Sequence, residues 1–173
     1  MTLMKEAEET TMARLKEVEF DRVYDAPLDV VWSAWTDPKK LMQWWGPDNV
    51  SIPECEVDLR VGGRFYIVME AGAAMGPYQG TRWPMEATFT TVEPNVKLAY
   101  TANAWTEGPK ENQKQDTLID QVTEISFSSQ GGKTKIHLKA TINNVGPGAK
   151  MAAQGMEYGF TQQLEKLSKF LAG

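Results

Sequence analysis

The sequence predicts an α+β fold: a curved antiparallel sheet of about six or seven strands wrapped around one long C-terminal helix, with two short helices after the first strand. Three observations carry this. Apolar residues alternate with polar ones over most of residues 50–140, the pattern of strands with one buried and one wetted face. Two proline-opened segments rich in tryptophan interrupt the first strand and the rest of the sheet. After Gly146-Pro147-Gly148 the apolar spacing changes to four, four, three and four.

Taken in order, Met1–Lys16 is a polar lead-in, and residues 17–173 form a single domain. Val18–Tyr24 alternates as a first strand, with Arg22 sharing the face of Val18, Phe20 and Tyr24. Asp25-Ala26-Pro27 opens a helix carrying Leu28, Val31, Trp32 and Trp35. At Asp37-Pro38 the aspartate can cap and the proline can occupy the first turn of a second short helix. That helix carries Leu41, Trp44 and Trp45 and stops at Gly46-Pro47.

Cys55, Val57 and Leu59 then alternate with acidic neighbours, and Gly62-Gly63 turns the chain into Arg64–Met69. Ala71–Gly80 reads as a flexible loop. Met85, Ala87 and Phe89 share a face, Glu93-Pro94-Asn95 turns, and Leu98 and Tyr100 lie on the next strand. Ala104–Asp116 is a polar loop. Thr123, Ile125 and Phe127 precede a turn at Gln130-Gly131-Gly132. The clearest alternation follows, Thr134, Ile136, Leu138 and Ala140 against Lys133, Lys135, His137 and Lys139. The final helix is read from about Ala149 to Leu171, with Met156, Phe160, Leu164, Leu167 and Leu171 on one face. Its length would be roughly 30–35 Å at ~1.5 Å per residue.

Composition excludes several kinds of chemistry. With one cysteine and one histidine in 173 residues, neither a Cys/His zinc site nor an intramolecular disulfide can be built within the chain. An all-carboxylate metal site stays open. A net charge of −5 argues against sequence-independent nucleic-acid binding. No apolar run approaches a membrane span, and the first residues do not read as a signal peptide, so a cytoplasmic location is expected. His137 falls on the wetted parity of its strand and reads as a surface residue. Cys55 sits beside Glu54 and Glu56, the wrong sign for a reactive thiolate. Gly62-Gly63 leads into a strand, so it is a turn and no phosphate loop. Arg60 and Arg64 could contact an acidic ligand, with Asp58 an equal claimant for Arg60.

Six tryptophans and nine methionines supply bulky, adaptable apolar surface. Trp44 and Trp45 cannot both face one way on a short helix, so one is expected at the core and the other at a cavity mouth. Phe65, Ile67, Met69, Met85, Phe89, Tyr100, Met156 and Phe160 are expected to point between sheet and helix. With Trp44 and Trp45 they form the candidate ligand-binding set. Tyr100, Glu86 and Arg64 are candidate polar handles. The same pattern would describe a filled core, and period alone does not separate the two.

The blocks Asp25-Ala26-Pro27, Val31-Trp32-Ser33-Ala34-Trp35-Thr36-Asp37-Pro38, Trp44-Trp45-Gly46-Pro47, Cys55 to Gly63, Gly131 to Thr134, and Gly155-Met156-Glu157 with Gly159-Phe160 occur in an ordered series. In that order they resemble the family similar to the C-terminal domain of the activator of the heat-shock-protein-90 ATPase, within the SRPBCC (START-like) superfamily. The resemblance spans roughly Val18 to Leu171. Phe160 stands where the family usually has Trp, Trp83-Pro84-Met85 replaces an aromatic-Pro-aromatic segment, and Ala87 stands where Gly is common. The resemblance implies a helix-grip fold with a cavity for a hydrophobic or amphipathic small molecule, and the residues themselves assign no catalytic group, metal or cofactor. Two alternatives stay open: a regulator of a chaperone ATPase, and a cyclase- or hydrolase-type enzyme using cavity carboxylates, tyrosines and water.

Overall fold

A computed structural model describes residues 16–173, so the polar lead-in lies outside the described residues apart from Lys16. Seven strands form one open antiparallel sheet: β1 (Lys16–Tyr24), β2 (Val50–Val57), β3 (Arg64–Ala71), β4 (Arg82–Glu93), β5 (Lys97–Ala104), β6 (Ile119–Gln130) and β7 (Lys133–Val145). Their spatial order is β1-β7-β6-β5-β4-β3-β2. Strands β2 to β7 are thus neighbours in sequence and in space. β1 crosses to the far side and pairs with β7, Phe20 opposite Leu138 and Tyr24 opposite Thr134.

Alternation does what period two requires. On β7, Thr134, Ile136, Leu138, Ala140 and Ile142 are fully buried, and the lysines between them face outward. The outward face carries cross-strand ion pairs such as Lys139 Nζ to Glu17 Oε1 at 2.9 Å. Exposed pairs of this kind add little stability.

Between β1 and β2 lie α1 (Leu28–Thr36) and α2 (Pro38–Trp44). The α2 start forms as its sequence dictates: Asp37 Oδ1 accepts from Lys39 N at 2.9 Å, and Pro38 occupies the first turn. The corner buries Trp35 and Trp44. Their rings meet edge to face at 4.7 Å, and Trp44 Nε1 donates to Ala34 O at 2.9 Å.

Three expectations change. The final helix is not continuous. After a 3-10 turn at Pro147–Ala149 come α4 (Lys150–Gln154) and α5 (Met156–Leu171), separated by Gly155 with ψ near 0°. Gly155 closes one helix and opens the next, its N donating to Met151 O at 3.1 Å and its O accepting from Gly159 N at 3.0 Å. The unbroken part is therefore about 24 Å long. Next, β2 ends at Val57 rather than continuing through Leu59. The turn that follows reverses the chain by bonding Asp58 N to Arg64 O, which leaves Leu59 exposed. Finally, the two loops hold local structure: 3-10 turns at Ala73–Tyr78, and one helical turn, α3, at Gln113–Asp116.

Candidate functional site

One half of the inner sheet face is filled. Phe65 and Phe89 stack with parallel rings at 5.7 Å, Tyr100 meets Phe65 edge-on at 5.3 Å, and Trp45 meets Phe65 at 5.6 Å. Such offset and T-shaped contacts are the preferred ring geometries. The α1–α2 corner closes this cluster with Trp35 and Trp44.

The other half is not filled. A pocket of about 400 Å³ opens between the sheet and the C-terminal helices. Ile67 and Met69 on β3, Trp83 and Met85 on β4, Ile119 and Gln121 on β6, and Ile142 on β7 form its floor. Ala149, Ala152 and Ala153 together with Met156, Phe160 and Gln163 form its roof. Trp45, Trp105 and Met75 stand at its sides. None of these lining residues is ionisable. The volume and the largely apolar lining are those of small-molecule pockets.

Of the ten residues in the candidate set, Trp45, Ile67, Met69, Met85, Met156 and Phe160 come together around this pocket. Trp44, Phe65, Phe89 and Tyr100 lie in the packed aromatic cluster instead. They are inward-facing, as alternation requires, but at the level where the tryptophan corner leaves no space.

The proposed polar handles lie elsewhere. Arg64 and Glu86 are on the outer face, paired with each other at 2.9 Å, and Arg64 also holds Glu56. Tyr100 is buried, and desolvation raises its phenol above the ordinary value. Arg60 pairs with Asp58 at 2.8 Å. His137 is on the outer face between Asp21, at 2.9 Å from Nδ1, and Glu19, at 3.8 Å from Nε2. The hydrogen bond to His137 holds the Asp21 carboxyl below its usual value.

Gln163 is the polar residue of the site that the helical pattern did not single out. Its signal was its position, three residues after Phe160 and seven after Met156, on the apolar face. It is buried, and its Oε1 accepts from Gly46 N at 3.0 Å. Beside it, Gln162 Oε1 accepts from Asp48 N at 3.1 Å, and Lys166 Nζ donates to the carbonyls of Trp45 and Pro47, each at 3.2 Å. Trp45 N still bonds Leu41 O of α2, and three side chains of α5 satisfy Gly46 N, Asp48 N and the carbonyls of Trp45 and Pro47 beyond it. Burial lowers the Lys166 ammonium below its ordinary value, with Asp48 opposing. Gly46 has φ +84°, and a Cβ there would stand 2.8 Å from Val50 Cγ2 and 2.9 Å from Met69 Sδ. Glycine is thus what lets this segment close the pocket side.

Cys55 offers no chemistry here. Burial, reinforced by Glu56 and Asp37, pushes its thiol up to about 12. Thiolate is the reactive form, so at neutral pH its native modification by a disulfide reagent should run roughly a thousandfold slower than in the unfolded chain. Stopped-flow thiol titration with and without denaturant checks this. Native labelling within tenfold of the unfolded rate would contradict it.

The comparisons with known proteins follow this geometry. A family model described as "Activator of Hsp90 ATPase homolog 1-like protein" matches residues 25–172. A solved protein from Chromobacterium violaceum is similar in fold, with a TM-score of 0.71 and 19% identity over 91% of this chain and 99% of its own. A solved AHSA1 protein from Silicibacter pomeroyi has a TM-score of 0.69 and 21% identity, covering 91% of this chain and 98% of that one. A protein from Arthrobacter aurescens, solved in solution, has a TM-score of 0.70 and 23% identity over 90% of this chain and 86% of that one. No curated protein matches the chain. Among the described residues, no helix is long and apolar enough to cross a membrane.

Proposed function

The chain belongs to the activator of Hsp90 ATPase homolog 1-like family, and from that premise we propose that it binds a hydrophobic or amphipathic small molecule without transforming it. The observation that carries this reading is the contrast between the two halves of the inner face. One is packed with stacked rings, and the other keeps a pocket of about 400 Å³ walled by apolar side chains. Apolar area removed from water would supply the affinity, at ~25 cal/mol per Å². Four of the nine methionines line the pocket, and their unbranched thioethers adapt to a ligand's shape.

The enzyme alternative is not supported by the pocket, because a general acid or base needs an ionisable group within reach of the substrate and the lining has none. The chaperone-regulator alternative rests on the family description alone. It is tested separately, by adding the chain to a chaperone ATPase and measuring turnover.

For the binding reading, titration with the neutral fluorophore N-phenylnaphthylamine should give saturable, one-to-one enhancement. Ala153→Trp, which puts a large ring into the roof, should remove the enhancement while circular dichroism stays native. Unsaturable fluorescence, or an unchanged titration in a folded Ala153→Trp chain, would refute it.

A further inference from the structure

Two polar side chains of the pocket lining are bonded within the fold. Thr117 Oγ1 accepts from Thr106 N at 2.9 Å and donates to Gln113 O at 2.8 Å. Gln121 Nε2 donates to Met85 Sδ at 3.5 Å. Gln163 differs. Only 6% of it is exposed, and its Nε2 has no partner among the described residues. The orientation of this amide is decided by its neighbour. Gly46 N–H must meet an acceptor, so Oε1 faces Gly46 and the NH₂ is the end left over. A buried donor without an acceptor is unfavourable, and native structures supply the partner from protein, water or ligand.

Resting on the small-molecule reading above, we infer that the ligand is a neutral compound carrying a carbonyl-type acceptor, and that Gln163 Nε2–H donates to it. Neutrality follows from the lining. A carboxylate brought into this pocket would lose its hydration and meet no cation there. Lys166, on the next turn of α5, is already held by the carbonyls of Trp45 and Pro47. An all-hydrocarbon ligand would leave the Gln163 donor unpaired. With the pocket empty, Nε2 has under 1 Å² of accessible surface. The acceptor therefore reaches it as neighbouring side chains shift, and Met69 and Met156 are lining residues that move at low cost. Gln163 is then a specificity-determining residue on a rigid helix, tied at one amide end to Gly46 and offering the other to the ligand.

A matched pair of probes tests this: valerophenone, an alkyl phenyl ketone, and pentylbenzene, in which the carbonyl is a methylene. Calorimetry on the wild-type chain should show valerophenone binding roughly tenfold tighter than pentylbenzene, the worth of about one hydrogen bond. The infrared carbonyl stretch of bound valerophenone should move to lower wavenumber than in alkane. In Gln163→Met the two affinities should converge through loss on the ketone side, with pentylbenzene still bound and the stretch unshifted. Should that variant fail to fold, the wild-type ratio and stretch decide alone.

Equal wild-type affinities, an unshifted stretch, or a ketone preference that survives in Gln163→Met would overturn the inference while leaving the pocket reading intact. Tighter binding of phenylvalerate than of valerophenone would overturn the neutrality. If neither probe nor N-phenylnaphthylamine binds, the pocket reading falls and this inference with it.

Discussion

Trp44→Ala should cost about 3–5 kcal/mol of stability, the range for removing a buried tryptophan. Trp44 has no accessible surface, meets Trp35 at 4.7 Å and Trp45 at 5.7 Å, and donates to Ala34 O. Truncation would open a void between two helices too short to collapse around it, and would orphan the Ala34 carbonyl. For a chain of this size each kcal/mol shifts the melting temperature by about 2–4 °C, so a fall of roughly 10 °C is expected. Urea and thermal unfolding measure it. Met85→Ala, at the pocket floor, is the comparison: space already exists there, so its cost should sit near about 2 kcal/mol, the low end of the range. A Trp44→Ala loss below that of Met85→Ala would mean the tryptophan corner is not the packed half of the molecule.

Gly63→Ala should be comparably damaging for a different reason. A Cβ at Gly63 would collide with the backbone oxygen of Asp58 and stand 2.9 Å from that of Arg60. Neither atom can swing away as a side-chain tip could. The turn is pinned on both sides: Gly63 N donates to Arg60 O at 2.8 Å, and Phe89 N donates to Gly63 O at 3.0 Å. Relieving the clash therefore drags Phe89, whose ring stacks on Phe65. Forced repacking of this kind costs about 3 kcal/mol. At the adjoining Gly62 nothing lies within 4 Å of a Cβ, and only its φ of +83° resists substitution, at about 1–2 kcal/mol. Denaturant midpoints of the two variants should therefore differ, with Gly63→Ala the lower. The reverse order would show that backbone conformation, not contact, governs the turn.

Much of this architecture was legible in the chain because each signal is local. Lysines alternating with Thr134, Ile136, Leu138 and Ala140 define which face of β7 is wet, whatever else the chain does. Asp37-Pro38 carries its own cap and its own fixed φ. The break at Gly155 was less legible, since the four-four-three-four spacing begins only at Met156 and glycine alone does not mandate a helix end. The pocket was legible only as a face. Phe65 and Ile67 are two residues apart on one strand and point the same way, yet Phe65 is wedged among rings and Ile67 borders open space. What separates them is how far the tryptophan corner reaches along β3, a tertiary distance that no period encodes. The six tryptophans divide on the same boundary. Trp32, Trp35 and Trp44 pack against other rings, Trp83 and Trp105 stand on the pocket, and Trp45 does both.

The placement of β1 also carries an expectation for the order of assembly. Strands β2 to β7 can zip as successive hairpins, each closing a loop far shorter than the β1 to β7 separation. β1 must find β7 across more than a hundred intervening residues, Lys16 seeking Ile142 and Tyr24 seeking Thr134. The loop-closure entropy of that step is met only once the hairpin array exists to reward it. The earliest of the described strands is thus expected to be among the last to dock. Until it does, the inner face of β7 has an open flank, and Phe20 has not reached Phe160, which it meets at 5.9 Å in the finished fold. The Phe160 end of the pocket roof is therefore braced only at the end of folding.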